Sequence, residues 1–139
     1  SPIPGDKVAK MENLRGVTII DCGITGTIPV ELFASGELRT FEIYRNNITG
    51  TIPTEIGNCV QLSSIKLHNN ELTGTIPAEI GNCAKLTLFL LNDNQLTGNI
   101  PNELAKCEKL IMFNLSNNQL SSNIPADLKA HPKFSNFKF

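Results

Sequence analysis

Three cysteines, Cys59, Cys83 and Cys107, stand at equal intervals along the chain, and His131 stands one further interval on. Three thiols and an imidazole are a ligand set that zinc takes. Ser35, one interval before Cys59, opens the same series. The equal spacing argues against the metal. If the chain stacks one coil per interval, equivalent side chains form a line rising about 4.8 Å per coil, whereas zinc needs four ligands converging as a tetrahedron at about 2.0–2.3 Å. Disulfides fail on the same geometry, since side chains in a line point the same way and a third cysteine is left over. The series reads as a row of buried structural thiols. Neither His131 nor the other histidine, His68, accompanies a nucleophile motif. No phosphate-binding glycine loop or metal-spaced carboxylate pair is present. No enzyme activity, metal or cofactor is therefore expected.

The spacing belongs to the whole chain. Segments beginning at Leu14, Leu38, Leu62, Leu86 and Leu110 follow one another at the same interval without insertion or deletion, and a sixth begins at Phe134. The five read LRGVTIIDCGITGTIP, LRTFEIYRNNITGTIP, LSSIKLHNNELTGTIP, LTLFLLNDNQLTGNIP and LIMFNLSNNQLSSNIP, each followed by a further stretch such as TEIGNCVQ. A fixed period of this length predicts a solenoid with one coil per repeat. Each segment opens with an apolar residue, another three positions on and another two beyond that, as in Leu38, Phe41 and Ile43. That is a short strand with one buried face. The next triplet arrives in the same sense, so the strands must lie parallel, with a crossover on the far side of each coil. Asn46, Asn70, Asn94 and Asn118 follow the triplets, and their amides are expected to point into the turn and satisfy backbone groups of adjacent coils. Cys22 holds that place in the first repeat; a thiol is a weak donor, so the ladder is expected to start poorly there.

The stretch Ile48-Thr-Gly-Thr-Ile-Pro53 and its copies alternate at period two, which predicts a second, shorter strand on the flank of each coil. Proline stops it, TEIGNC and AEIGNC predict one short helical turn, and Gly57 and Gly81 are expected to supply the turn out. The expected organisation is a single solenoid over 1–139, with a partial repeat over 1–13, five repeats over 14–133 and a partial terminal strand over 134–139. Phe134, Phe137 and Phe139 are spaced as that strand's buried triplet. The chain is expected to be a fragment of a longer array or to fold these rings inward as a lid. A monomer is favoured over an end-to-end dimer, because Lys133 and Lys138 would repel their copies.

The LTGxIPxEIGNCxxL spacing resembles the plant-type leucine-rich repeats of receptor-like kinase ectodomains, receptor-like proteins and polygalacturonase-inhibiting proteins, over roughly residues 14 to 133. The resemblance implies an α/β fold: a right-handed solenoid with a parallel sheet on its concave face, a short second strand on the flank and short helical or 3-10 turns on the convex side. It further implies recognition of a protein, a peptide or a small hormone by the concave or flanking sheet, and an extracellular location. The paired-cysteine caps usual at both ends of the secreted members are missing here.

Twelve basic and thirteen acidic residues, scattered without runs, leave a net charge of −1 and no electrostatic reason to bind nucleic acid or an anionic membrane. No apolar run is long enough to span a bilayer. On the concave sheet, the outward positions read Thr40, Glu42, Tyr44; Ser64, Lys66, His68; Leu88, Leu90, Asn92; and Met112, Asn114, Ser116. Glu42 and Lys66 are expected to pair across strands with little energetic weight. Leu88 and Leu90 are apolar residues beyond those the core needs, with Met112 adjacent; such exposed neighbours mark interaction sites. Tyr44, Arg45, His68 and Asn92 are expected to flank them. The chain thus reads as a non-catalytic recognition module whose concave sheet binds a protein or peptide through Tyr44, Arg45, His68, Leu88, Leu90, Asn92 and Met112. Two columns of threonine on the flank, Thr25, Thr49, Thr73 and Thr27, Thr51, Thr75, carry the alternative of an ice-binding or structural surface. Asn47-Ile-Thr and Asn114-Leu-Ser are glycosylation sequons, and a glycan on Asn114 would obstruct the concave sheet.

Overall fold

The computed structural model describes residues 1–8 and 13–139; residues 9–12 of the expected partial first repeat lie outside the described residues. Among the described residues, six strands make one parallel sheet: β1 Gly16–Ile20, β2 Thr40–Tyr44, β3 Ser64–Lys66, β4 Leu88–Leu90, β5 Met112–Asn114 and β6 Phe137–Lys138. They neighbour one another in chain order, and the register advances one repeat at each pairing. Val17 faces Phe41, Phe41 faces Ile65, and the column continues through Phe89, Phe113 and Phe137. This column points inward: Phe41, Ile65 and Phe89 are fully buried, and Phe113 lies 5.6 Å from the Phe89 ring and 4.6 Å from Phe137. Leu38, Leu62, Leu86 and Leu110 on one side and Ile43, Leu67, Leu91 and Leu115 on the other complete a continuous core.

Stacking apolar columns does not by itself fix one coil against the next, because each tight turn strands backbone polar groups indoors. The ladder asparagines satisfy them. Asn94 Oδ1 accepts the Leu72 N–H at 3.0 Å, while its Nδ2 donates to the Leu67 and Leu91 carbonyls at 2.9 and 3.2 Å. Asn70 and Asn118 repeat the pattern, and Asn46 accepts from the Cys22 and Ile24 N–H groups. The residue before each ladder position, Asp21, Arg45, Asn69, Asp93 or Asn117, has φ between 54° and 60°, and before the four asparagines this left-handed turn faces the next side chain inward. Cys22 is exposed, and its thiol donates only to the Ile20 carbonyl of its own turn.

The flank departs from the expected short strand on every coil. Paired strands occur at Thr25–Gly26 with Asn47–Ile48 and at Thr97–Gly98 with Gln119–Leu120, and the third coil carries none. Its backbone bonds persist, with Glu71 N–H donating to Ile48 and Thr73 N–H to Gly50. Gly50, Gly74 and Gly98, at φ 76° to 82°, break the extended run. A β-carbon on any of them would also lie 2.8 Å from the Cγ2 of Thr27, Thr51 or Thr75 on the preceding coil.

On the return side, 3-10 turns at Val30–Phe33, Thr54–Asn58, Ala78–Asn82 and Asn102–Lys106 each follow a proline, and Ala126–Lys129 is a single α-turn. Gly57 and Gly81 sit within these turns and do not make the exit. A β-carbon would meet the Glu79 carbonyl oxygen at 2.7 Å and the Glu103 carbonyl oxygen at 2.6 Å, so glycine is required by the closeness of the next coil. The terminal segment also differs from expectation: Phe134 lies in a 3-10 turn, Phe137 is buried in β6, and Phe139 is 39% exposed. The Phe134 ring lies 6.1 Å from Phe137 and 5.7 Å from Phe139, and Phe139 lies 5.4 Å from Phe113.

The cysteine row is a second ladder. Cys83 and Cys107 thiols donate to the carbonyls of Cys59 and Cys83, each at 3.5 Å. His131 continues it: Lys133 N–H donates to its Nδ1 at 3.0 Å, so Nε2 carries the proton given to the Cys107 carbonyl, also at 3.0 Å. Ser35 leaves the series, being exposed with its Oγ accepting from Glu37. All four cysteines are free thiols. Burial pushes Cys83 up to about 12 and Cys107 to about 11, and raises Cys59. A thiol reagent at pH 8 should therefore modify Cys22 alone in the native protein and all four cysteines after denaturation. Fast native labelling of Cys59, Cys83 or Cys107 would contradict the buried row.

Candidate ligand-binding face

The sheet's outward side carries three columns set by the register. One runs Gly16, Thr40, Ser64, Leu88, Met112; the second runs Thr18, Glu42, Lys66, Leu90, Asn114, Lys138. The third continues past Ile20 and Tyr44 to His68, Asn92 and Ser116, where backbone bonds such as Arg45 N–H to His68 and Asn69 N–H to Asn92 link the coils. The columns change character along the solenoid. In β2 and β3 the middle is polar and internally satisfied: Lys66 Nζ lies 3.2 Å from Glu42 Oε2, which also accepts the Ser64 hydroxyl at 2.8 Å. A pair of this kind contributes little net stability. In β4 and β5 three of these positions are apolar, with Leu88 and Leu90 half-buried and Met112 52% exposed, while Asn114 keeps the middle column polar in β5.

Where the polar and apolar parts meet, a shallow cavity of 410 Å³ opens on the face. Four of the residues expected from the sequence line it: His68, Leu90, Asn92 and Met112. Tyr44 stacks on His68 at 4.3 Å and 17°, extending the wall. Leu88 is Met112's register partner beside the cavity. Arg45 is not brought to it. Its positive φ turns it to the sheet edge, where the guanidinium pairs with Asp21 at 3.3 Å. Ile111, Asn114, Asn136 and Lys138 also line the cavity. Ile111 carried a signal, since the same place in earlier repeats holds Arg15, Arg39, Ser63 and Thr87. Lys138 continues the Leu90 column by one more repeat. Asn47 is exposed on the flank, whereas Asn114 is half-buried with its Oδ1 accepting from the Ser116 N–H and hydroxyl.

The flank threonines are tied into the scaffold. Thr49, Thr73 and Thr97 hydroxyls reach the carbonyls of Gly26, Gly50 and Gly74 at 3.4 to 3.5 Å, and the other column packs its methyls on glycine. Among the described residues, no group of three or more His, Cys, Asp or Glu is placed to hold a metal ion, and no helix is long and apolar enough to cross a membrane.

The Leucine Rich Repeat family model matches residues 37–59, 61–83, 85–107 and 109–130. The chain belongs to the leucine-rich-repeat family. A comparison with curated protein sequences found no match. Among solved structures, this leucine-rich-repeat chain is similar to the plant peptide hormone receptor RGFR1 in complex with RGF2, at 34% identity and a TM-score of 0.91. It is also similar to the BIR2 ectodomain of Arabidopsis thaliana, at 34% identity and 0.79, and to a plant ice-binding protein at 27% and 0.79. The matches cover 99%, 87% and 88% of this chain, and 22%, 64% and 39% of those chains. The leucine-rich-repeat segment thus spans under a quarter of the receptor.

His68 gives the face a titratable group. Burial lowers its pKa below the usual 6.5; Lys66 and Arg45 lower it further, opposed by Asp93 and Glu42. Its Nδ1 is buried without a partner. A histidine with a depressed folded-state pKa stabilises the fold above pH 6.5, and that contribution is lost as pH falls below this value, because the unfolded chain takes the proton first. Urea denaturation should show wild type losing more stability between pH 7.5 and 5.5 than His68→Gln does. Equal losses would mean that His68 is not held neutral.

Proposed function

We propose that this leucine-rich-repeat chain is a non-catalytic recognition module that binds a protein or peptide on its concave sheet, at the cavity between His68, Leu90 and Met112. The observation carrying the proposal is the change along the outward columns, from the satisfied Glu42, Ser64 and Lys66 of β2 and β3 to the apolar Leu88, Leu90 and Met112 of β4 and β5, at one concavity. A recognition site needs an apolar centre that excludes water and a polar rim that orients the partner. Leu90 and Met112 supply the first; His68, Asn92 and Asn114 supply the second. The peptide complexes of the receptors RGFR1, with RGF2, and HAESA, with IDA, support this class of partner. Resemblance to plant receptor ectodomains supports an extracellular setting. Use of the Asn114 sequon would close the cavity, so a glycan belongs on Asn47 if either is modified.

A second reading is favoured by one observation: exposed threonine columns, ordered by hydroxyl bonds and by packing on glycine, on a chain similar to a plant ice-binding protein. It places ice on the flank. Pull-downs from the source organism with wild type and Leu90→Glu separate the readings. A charge set against an apolar anchor should weaken capture of the concave partner by about 2 kcal/mol or more, with Thr51→Tyr unaffected. Unchanged capture by Leu90→Glu would move the site off the cavity. Ice recrystallisation inhibition abolished by Thr51→Tyr would favour the flank instead.

A further inference from the structure

The concave-sheet reading leaves the chemistry of the partner open, and the cavity's charge and hydrogen-bonding groups narrow it. Lys66 is paired with Glu42 and Arg45 with Asp21. Lys138 lines the cavity, makes no ion pair among the described residues, and is the one charged residue of the lining. Asp93 lies outside the lining, its oxygens accepting from Asn92 Nδ2 at 2.7 Å and Asn117 Nδ2 at 2.8 Å. The cavity lining therefore carries one formal charge, the Lys138 ammonium, and no carboxylate.

The neutral groups sharpen this. Asn114 is the register partner of Lys138 in the neighbouring strand. Its Oδ1 is spent on the Ser116 N–H and hydroxyl, which leaves its Nδ2 as a donor on the strand next to Lys138, in the same lining. Two donors on adjacent strands fit the two oxygens of one carboxylate. One step along the same column stands Leu90, with Met112 and Ile111, 52% and 53% exposed, beside it. Aliphatic side chains and a thioether make an adaptable apolar floor.

We propose that the partner is a peptide segment carrying an aliphatic side chain next to an internal Asp or Glu. The aliphatic group seats on Leu90, Met112 and Ile111, and the side-chain carboxylate is held by Lys138 and Asn114. The inference rests on the concave-sheet reading and goes beyond it in fixing the ligand's charge and order.

A linear peptide library displayed as N-terminal fusions, which have no free C-terminal carboxylate, tests this when panned against the full chain. The expected outcome is enrichment of Leu, Ile or Val within two positions of Asp or Glu. In an amidated synthetic copy, changing that Glu to Gln should weaken binding about fivefold, the magnitude of one exposed charge pair. Lys138→Gln should weaken the parent peptide equally, with no further loss when both changes are combined. Enriched peptides without an acidic residue, peptides that need a free C-terminus, or parent affinity unchanged by Lys138→Gln would overturn the proposal. So would panning that yields no binder. Leu90→Glu separates the two levels. If it abolishes binding of peptides that ignore Lys138, the concave site stands and the carboxylate assignment falls; if acidic peptides bind it as well as wild type, the concave site itself falls.

Discussion

From the second coil to the fifth, each coil is tied to the one before it by one inward-facing side-chain amide. A solenoid has no end-to-end packing to hold it; each repeat touches only its neighbours, and the stability of the whole is a sum of these interfaces. The apolar columns supply most of the burial, but hydrophobic contact is non-directional and would tolerate a slip. The asparagine does not. Its oxygen takes one N–H of its neighbour's turn and its nitrogen gives to carbonyls of two successive coils, so a displaced coil leaves several buried polar groups unpaired, at about 1–3 kcal/mol each. The left-handed residue before it is the local device that aims it. The thiol row is the weaker companion on the return side, and it closes with the stronger imidazole donor of His131.

That constraint separates the sequence into two kinds of position. Inward positions repeat an apolar residue and the ladder positions from Asn46 to Asn118 an asparagine, because the geometry makes the same demand in each of these coils. Outward positions are free, and the fixed register lines them up into columns whose composition can drift from coil to coil. The cavity arises from such drift: Leu88, Leu90, Met112 and Ile111 replace the polar residues of earlier coils, and no change of backbone is involved. The flank threonines belong partly to the first kind. Thr27, Thr51 and Thr75 press on glycines of the following coil, so the TGTIP run has a scaffold reason to recur whether or not the flank touches anything.

Residues whose role is set by the period were readable from the sequence alone: the strand triplets, the ladder asparagines and the outward triplets. The misread ones depend on distances between coils or on a single dihedral. Gly57 and Gly81 look like turn residues in sequence, and only the approach of the next 3-10 turn explains them. Arg45 follows Tyr44 in sequence, which suggests a place beside it, but a positive φ carries it to the edge. Ser35 sits in the cysteine series by number and not by place. Of the cavity, the apolar centre was legible as a departure from the repeat. Its far wall was not, because Lys138 and Asn136 lie in the terminal segment, where too little of the repeat remains to read a column. Phe134 shows the same limit: the spacing is that of a strand, and the residue lies in a 3-10 turn.

The ladder's place at the base of this hierarchy is most directly tested at Asn94, which joins the coil of His68 to that of Leu90. Native-state hydrogen exchange on Asn94→Ala should show the Leu72 amide, bonded to Asn94 Oδ1, losing its protection, together with a fall in global stability of about 3 kcal/mol. Wild-type protection at Leu72 with unchanged stability would contradict it, and would mean that the apolar columns alone set the register on which the face depends.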